Sequence, residues 1–282
     1  MEEFRRVTGK QVEEFLAYLV REEKSERTVE KYGRDVRAFC AFLPVGKAVE
    51  KERVLAYKEH LVKRYAPSSV NSMLAAVNSF LGFLGREDCR VKKLKIQRRA
   101  FCPADRELNR AEYLRLIQAA EAMGRSRTSL LLQTLGSSGI RVSETSAITV
   151  EALRQGKAVI RLKGKIRTIL LPQKLCRKLL RYAKRQRIFS GPVFLTRNKR
   201  PMNRKEIWAA FKSLCSRAGV AAQKVFPHNL RHLFARTFYE ARHDIAKLAD
   251  VLGHSSIDTT RIYILTSGEE HCRTLEQMHL LL

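Results

Sequence analysis

LGHSSIDTTRIYI, residues 252–264, places two helix boundaries in one short stretch. Gly253 reads as the left-handed stop of a helix running from about Asp244. Ser255 or Ser256, followed by Asp258, reads as the cap and first-turn acid that open the next helix. His254 lies in the joint, and Tyr263 follows nine residues later on the second helix. Taken alone, a histidine at such a joint is a capping or structural residue, and a tyrosine on such a helix is a buried aromatic. Their meaning depends on what the remaining sequence brings to them.

The surroundings are strongly basic. The chain has 282 residues, 45% of them hydrophobic, enough for one large domain or two ordinary ones. Its 55 Lys and Arg outweigh 28 Asp and Glu, for a net charge of +27. Such an excess repels itself in a compact state unless an anionic partner offsets it, and a nucleic acid backbone is the usual partner. A membrane is excluded as a solvent, because apolar runs such as SLLLQTLG (129–136) fall far short of the roughly 20 residues of a spanning helix. The opening MEEFRRVTGK shows no apolar core of a signal peptide. Cysteines at 40, 89, 102, 176, 215 and 272 form no C-x-x-C pair, which argues against a zinc site or a disulfide framework and fits a reducing cytoplasm.

Periodicity divides the chain. Val12, Phe15, Leu16 and Leu19 recur at helical spacing, as do Val29, Tyr32, Val36 and Phe39, then Val54, Tyr57 and Leu61. A fourth set, Val70 to Leu81, follows the helix entry Pro67-Ser68-Ser69. Residues 1–90 are therefore expected to form a small helical domain. RVKKLKIQRR, residues 90–99, then carries Arg90, Lys92, Lys93, Lys95, Arg98 and Arg99 with no acid. A solvated charged linker would look the same; between two packed segments of so basic a protein, residues 91–105 read as a connector crossing a DNA backbone. Residues 106–282 resume with helices. GKAVIRLKGKIRTILLP breaks them with two strands, about 157–162 and 166–172, joined at Lys163-Gly164-Lys165. Helical pattern is expected again from Pro172 to the end, with a tail helix at 269–282 that sets Leu275, Met278 and Leu282 on one side. RKLLRYAKRQR, residues 177–187, is either a DNA-facing or a plainly solvated helix face.

Each chemical candidate is weak by itself. Arg141 and Glu144 in GSSGIRVSETS, three residues apart, make an ordinary ion pair. His228 and Arg231 in FPHNLRH share a helix face near the helix N-terminus, where an anion is favoured, while His232 is expected to point elsewhere as a packing residue. Lys163 and Lys165 resemble any turn lysines. The set gains weight together. Phosphoryl transfer without a metal needs a nucleophile, an acid for the leaving oxygen and fixed positive charge on the non-bridging oxygens. A tyrosine, a lysine and two arginines can supply these.

This ordered set resembles the tyrosine recombinase family, which includes phage integrases, Xer recombinases and Cre. GIRVSE is similar to the family's first arginine box, PHNLRH to its H-x-x-R box, and LGHSS with TTRIY to its last histidine and its tyrosine. KSERTVEKYGRDVRAF, residues 24–39, looks like the first helix of the family's core-DNA-binding domain. The resemblance implies a mostly α, two-domain fold. An N-terminal helical core-DNA-binding domain would be followed by a catalytic domain of mixed α/β type, mainly helical with a small antiparallel sheet, the two forming a C-shaped clamp on DNA. It also implies roles. Tyr263 is the nucleophile, Arg141 and Arg231 hold the phosphate, Lys163 is the acid, His228 and His254 assist, and Glu144 orients Arg141. The family hairpin commonly reads K-G-x-K-x-R; here it is one residue shorter, which keeps Lys165 as a rival acid.

The activity so implied is site-specific recombination through a 3′-phosphotyrosine, without metal, ATP or other cofactor. Two rounds in a homotetramer on two sites would pass through a Holliday junction. The partner is double-stranded DNA bearing a recombination site. Accessory DNA-bending proteins are possible partners, no membrane is, and the free protein would be a monomer or dimer in the cytoplasm. A type IB topoisomerase, or a non-catalytic DNA-binding regulator derived from a recombinase, is the alternative. Two roles stay open, an Xer-like resolvase of chromosome dimers and a mobile-element integrase; the charge and the altered hairpin lean toward the latter. The tail could dock on its own domain or on a neighbouring subunit.

Overall fold

Thr8 opens the first helix: its hydroxyl accepts from the Gln11 amide while the Gln11 side chain returns to the Thr8 amide, a reciprocal cap. The structure, a computed structural model, describes residues 7–44, 49–96, 106–162, 165–254 and 256–263, without the side chains of 161, 162 and 165. Among these, no helix is long and apolar enough to cross a membrane. The chain divides after Arg98 into two units.

In the first unit, α1 (Gly9–Arg21), α2 (Glu26–Phe42), α3 (Lys51–Arg64) and α4 (Pro67–Phe83) surround one apolar core. Phe15, Val36, Phe39, Leu74 and Phe80 are its buried centre, with Phe15 and Phe80 meeting edge to face at 5.2 Å. Pro67 stands in the first turn of α4, where its missing N–H costs nothing. The expected connector does not leave this unit at residue 90. Asn78 pairs with both backbone groups of Val91 (2.8 and 3.0 Å), and Asn71 does the same for Leu94 (2.9 and 2.7 Å). Val91 is buried in the core. Two helix asparagines thus stand in for a strand partner and satisfy a backbone that has none of its own. Arg90 turns back to Glu87 (3.1 Å) and the Asn78 carbonyl, whereas the side chains of Lys92, Lys93 and Lys95 are exposed. Arg98 and Arg99 lie outside the described residues.

The second unit builds its core around α6 (Ser126–Ser138), whose Leu131, Leu132 and Leu135 are buried, packed with α5 (Arg110–Ala122). A 3-10 turn (Val142–Ala147) and α7 (Val150–Gln155) lead into β1 (Lys157–Leu162) and β2 (Lys165–Leu170). The strands pair antiparallel from Lys157↔Leu170 to Leu162↔Lys165. The second strand therefore starts one residue earlier and ends two earlier than its apolar pattern indicates. Lys165 is its first residue rather than part of the turn; Lys163 and Gly164 lie outside the described residues. Alternation sends Ala158, Ile160 and Ile169 into the core.

After α8 (Gln173–Arg185) the expectation of unbroken helix fails. Residues 188–203 form loops held by isolated bridges Thr149↔Pro192 and Leu195↔Pro201, because Gly191-Pro192 and Pro201 interrupt helical hydrogen bonding. Helices resume as α9 (Arg204–Lys212), α10 (Cys215–Ala218), α11 (Pro227–Arg242), α12 (Ile245–Leu252) and α13 (Ile257–Arg261). Both helix ends fall where the residues indicate, with Gly253 ending α12 at φ 63° and the Ser256 hydroxyl capping α13, but α13 stops at Arg261, so Tyr263 lies just past the helix rather than on it. The tail helix expected at 269–282 lies outside the described residues.

Candidate active site

Four chain segments of the second unit converge here. Gly139 closes α6 with a left-handed residue, φ 61°, and delivers Arg141 just beyond. Arg141 donates to Glu144 through its guanidinium (3.0 Å) and its amide (2.7 Å). The Glu144 side chain is only 3% exposed and that of Arg141 40%, so a buried acid aims a solvent-facing cation. α11 brings His228 in its first turn and Arg231 one turn later, with Pro227 at the helix entrance. The helix N-terminus adds partial positive charge. The joint between α12 and α13 supplies His254, and Tyr263 follows α13 directly.

Arg231 is the buried hub, 1% exposed. Its guanidinium donates to the Gly139 carbonyl and to the Leu252 carbonyl (2.8 Å), and meets His254 Nε2 at 2.7 Å. An arginine can only donate, so Nε2 accepts. That assigns the His254 proton to Nδ1, which donates to the buried Thr260 hydroxyl (2.8 Å). The histidine is thereby held neutral. Burial, then the charges of Arg231, Arg141 and Arg167, push its pKa down to about 4. Burial also lowers His228, aided by Arg231, Arg204 and Arg141. Arg231 itself is brought down to about 10, first by burial and then by Arg141.

Tyr263 is 7% exposed and packs into this group. Its ring lies 5.2 Å from His228, 5.2 Å from His254 and 4.4 Å from His232, with the Arg231 guanidinium 5.6 Å from its centroid. The structure thus brings together Arg141, Glu144, His228, Arg231, His254 and Tyr263. Lys163 lies outside the described residues, and the Lys165 side chain is not described.

Chemically, this is a phenol surrounded by neutral imidazoles and fixed guanidiniums, an arrangement suited to an oxyanion that forms and collapses beside a tyrosine. The phage integrase family model matches residues 106–270, more than half of the chain. The chain belongs to the phage integrase family. A second model, the phage integrase N-terminal SAM-like domain, matches residues 12–88 of the chain. Tyrosine recombinase XerA of Pyrococcus furiosus is 29% identical to it over 280 positions, covering 96% of this chain and 94% of the relative. Tyrosine recombinase XerC of Roseiflexus castenholzii is 30% identical, covering 90% and 88%. The fold is shared with solved structures. A crystal structure of a lambda integrase dimer bound to a COC′ core site matches at 16% identity with a TM-score of 0.72, covering 93% of this chain and 96% of that one. A XerA recombinase crystal structure matches at 24% identity with a TM-score of 0.54, covering 98% and 100%.

Two side chains near the tyrosine are not among the expected site residues. His232 does not point elsewhere: at four residues from His228 it returns to the same helix face, and it is the ring nearest Tyr263. Burial, His228, Arg236 and Arg231 lower its pKa to about 4, and a backbone hydrogen bond with Tyr263 offsets part of this. The i, i+4 relation was a usable signal. Arg167 on β2 also reaches the site, bonding Glu144 at 2.7 Å; in sequence it is only one more basic residue of a hairpin.

Proposed function

We propose that this protein is a site-specific DNA recombinase that breaks and rejoins strands through Tyr263. The carrying observation is the placement of Tyr263 among Arg231, His228 and His254. The Tyr263 oxygen attacks a DNA phosphorus while its proton passes toward His228. The bond to the 5′ oxygen breaks, leaving a 3′-phosphotyrosyl ester and, after protonation by Lys163, a free 5′-hydroxyl. Lys165 is the rival donor. Arg141 and Arg231 hold the non-bridging oxygens, and His254, whose Nε2 accepts from the Arg231 guanidinium, holds that arginine in place. Because Arg231 is buried, a phosphate contacts it only when Tyr263 and its neighbours shift. The ester keeps the bond energy, so a 5′-hydroxyl from a second strand reverses the step without ATP.

The full-length relatives bear the name tyrosine recombinase, which supports this reading. Two rounds of exchange would use four copies on two sites, through a Holliday junction, in the cytoplasm. A Xer-like resolvase and a mobile-element integrase would share these steps. Exposed Lys92, Lys93 and Lys95 are offered to the DNA backbone as the chain leaves the first unit.

The test is a plasmid incubation with EDTA present, stopped with SDS. Wild type is expected to become covalently attached to DNA, and Tyr263→Phe to bind DNA without attachment. Attachment that persists in Tyr263→Phe would refute the assignment.

A further inference from the structure

Arg167 shares one partner with each of the two arginines assigned to the phosphate. Its Nη2 meets Glu144 Oε2 at 2.7 Å, the carboxylate that also receives the Arg141 amide and guanidinium. Its Nη1 donates to the Leu252 carbonyl, which also accepts from Arg231 Nη2. The Arg167 side chain is 15% exposed, against 40% for Arg141, so it faces the protein rather than the solvent. It passes tightly over the end of α12: a Cβ built on Gly253 would lie 2.0 Å from Arg167 Cδ. The glycine there leaves room for the arginine as well as ending the helix.

We propose that Arg167 is a positioning residue that ties Arg141 and Arg231 into one phosphate clamp. Arg141 reaches Glu144 through its amide on Oε2 and its guanidinium on Oε1. The second ion pair, from Arg167 to Oε2, further fixes the carboxylate and so the direction of Arg141. At the other end, Arg167 and Arg231 hold the same carbonyl, which stands two residues before His254. β2 thereby links the turn after α6 to the end of α12. Only a planar fork reaches both partners, and a lysine ammonium in its place reaches one. The proposal rests on the reading of Tyr263, Arg141 and Arg231 given above.

The test uses a duplex carrying the scissile phosphate, mapped with wild-type protein on plasmid, in three forms. One has the natural phosphate, one a neutral methylphosphonate at the scissile position, and one a bridging sulfur in place of the 5′ oxygen. On natural phosphate, Arg167→Ala is expected to form adduct about 100-fold slower than wild type, the scale of a small misplacement of reacting groups. Arg167→Lys should recover part of this, and both should bind the duplex as wild type does. On the methylphosphonate, which lacks the charge the clamp serves, the gap between Arg167→Ala and wild type should shrink by about tenfold or more, as for Arg141→Ala. The bridging sulfur, a leaving group needing no acid, should restore Lys163→Ala and not Arg167→Ala.

An unchanged gap on the methylphosphonate would make Arg167 a general structural brace and overturn the proposal. Restoration of Arg167→Ala by sulfur would place it with the acid instead, and also overturn it. So would failure of both Arg167 variants to fold. Absence of adduct from wild type on every substrate would refute the underlying reading, and this proposal with it.

Discussion

Replacing Glu144 should damage the second unit more than any surface acid could. The carboxylate accepts three charge-assisted hydrogen bonds, at 2.7, 3.0 and 2.7 Å. The Arg141 side chain is 40% exposed, so its pairing is discounted to about 1 kcal/mol. Arg167 is not solvated, and removing the partner of a buried charge costs about 3–5 kcal/mol. Glu144→Gln keeps one acceptor and turns an amide donor toward a guanidinium, so a loss of about 3 kcal/mol follows. For a unit of this size that lowers the melting temperature by about 6–12 °C. Thermal unfolding at pH 7.5, followed by circular dichroism, reads it. The sharper form adds a double variant: Glu144→Leu with Arg167→Met removes both charges and should be more stable than Glu144→Leu alone. A double variant destabilised by the sum of the two single losses would refute the idea that Arg167 depends on Glu144.

Other consequences are as direct. His232 and His254 have pKa values of about 4 in the folded chain. Unfolded histidines titrate near 6.5, so below that pH the unfolded chain takes up more protons and stability falls until about pH 4. After allowance for partial exposure the pair contributes on the order of 3 kcal/mol, and a His232→Asn/His254→Asn variant should flatten the dependence of melting temperature on pH across this window. His243 ends α11 at φ 52°, a left-handed conformation that favours glycine. His243→Gly should therefore stabilise the chain by about 0.5–1 kcal/mol in urea unfolding. If Lys92, Lys93 and Lys95 each neutralise a phosphate, replacing all three with alanine should reduce the slope of log affinity against log salt by about 2.7.

Much of this was legible in the residues, and the exceptions have physical causes. The helical spacing of Val12 to Leu81 and the alternation of Ala158, Ile160 and Ile169 come from burying one face, a demand that writes itself locally. Gly253 and Ser256 announce their helix ends for the same reason: the backbone conformation and the cap are local events. Val91 and Leu94 were harder, because what holds them is a pair of asparagines on α4, distant in sequence and indistinguishable there from solvated polar residues. The segment's charge masked its packing. At the site, spacing along α11 brings His228 and Arg231 to one face, and the same rule applied at four residues includes His232. Arg167 could not be read this way. Its partners lie 23 and 85 residues away, and only the folded unit brings them together.

Recombination through Tyr263 turns on one covalent bond. Protein trapped on DNA by SDS can be digested with nuclease and trypsin, and the nucleotide-bearing peptide sequenced by mass spectrometry. The expected product is a nucleotide joined through its 3′ phosphate to Tyr263 in the peptide spanning residues 262–273, formed equally with EDTA present. A nucleotide on any other residue, or a linkage through the 5′ phosphate, would contradict it.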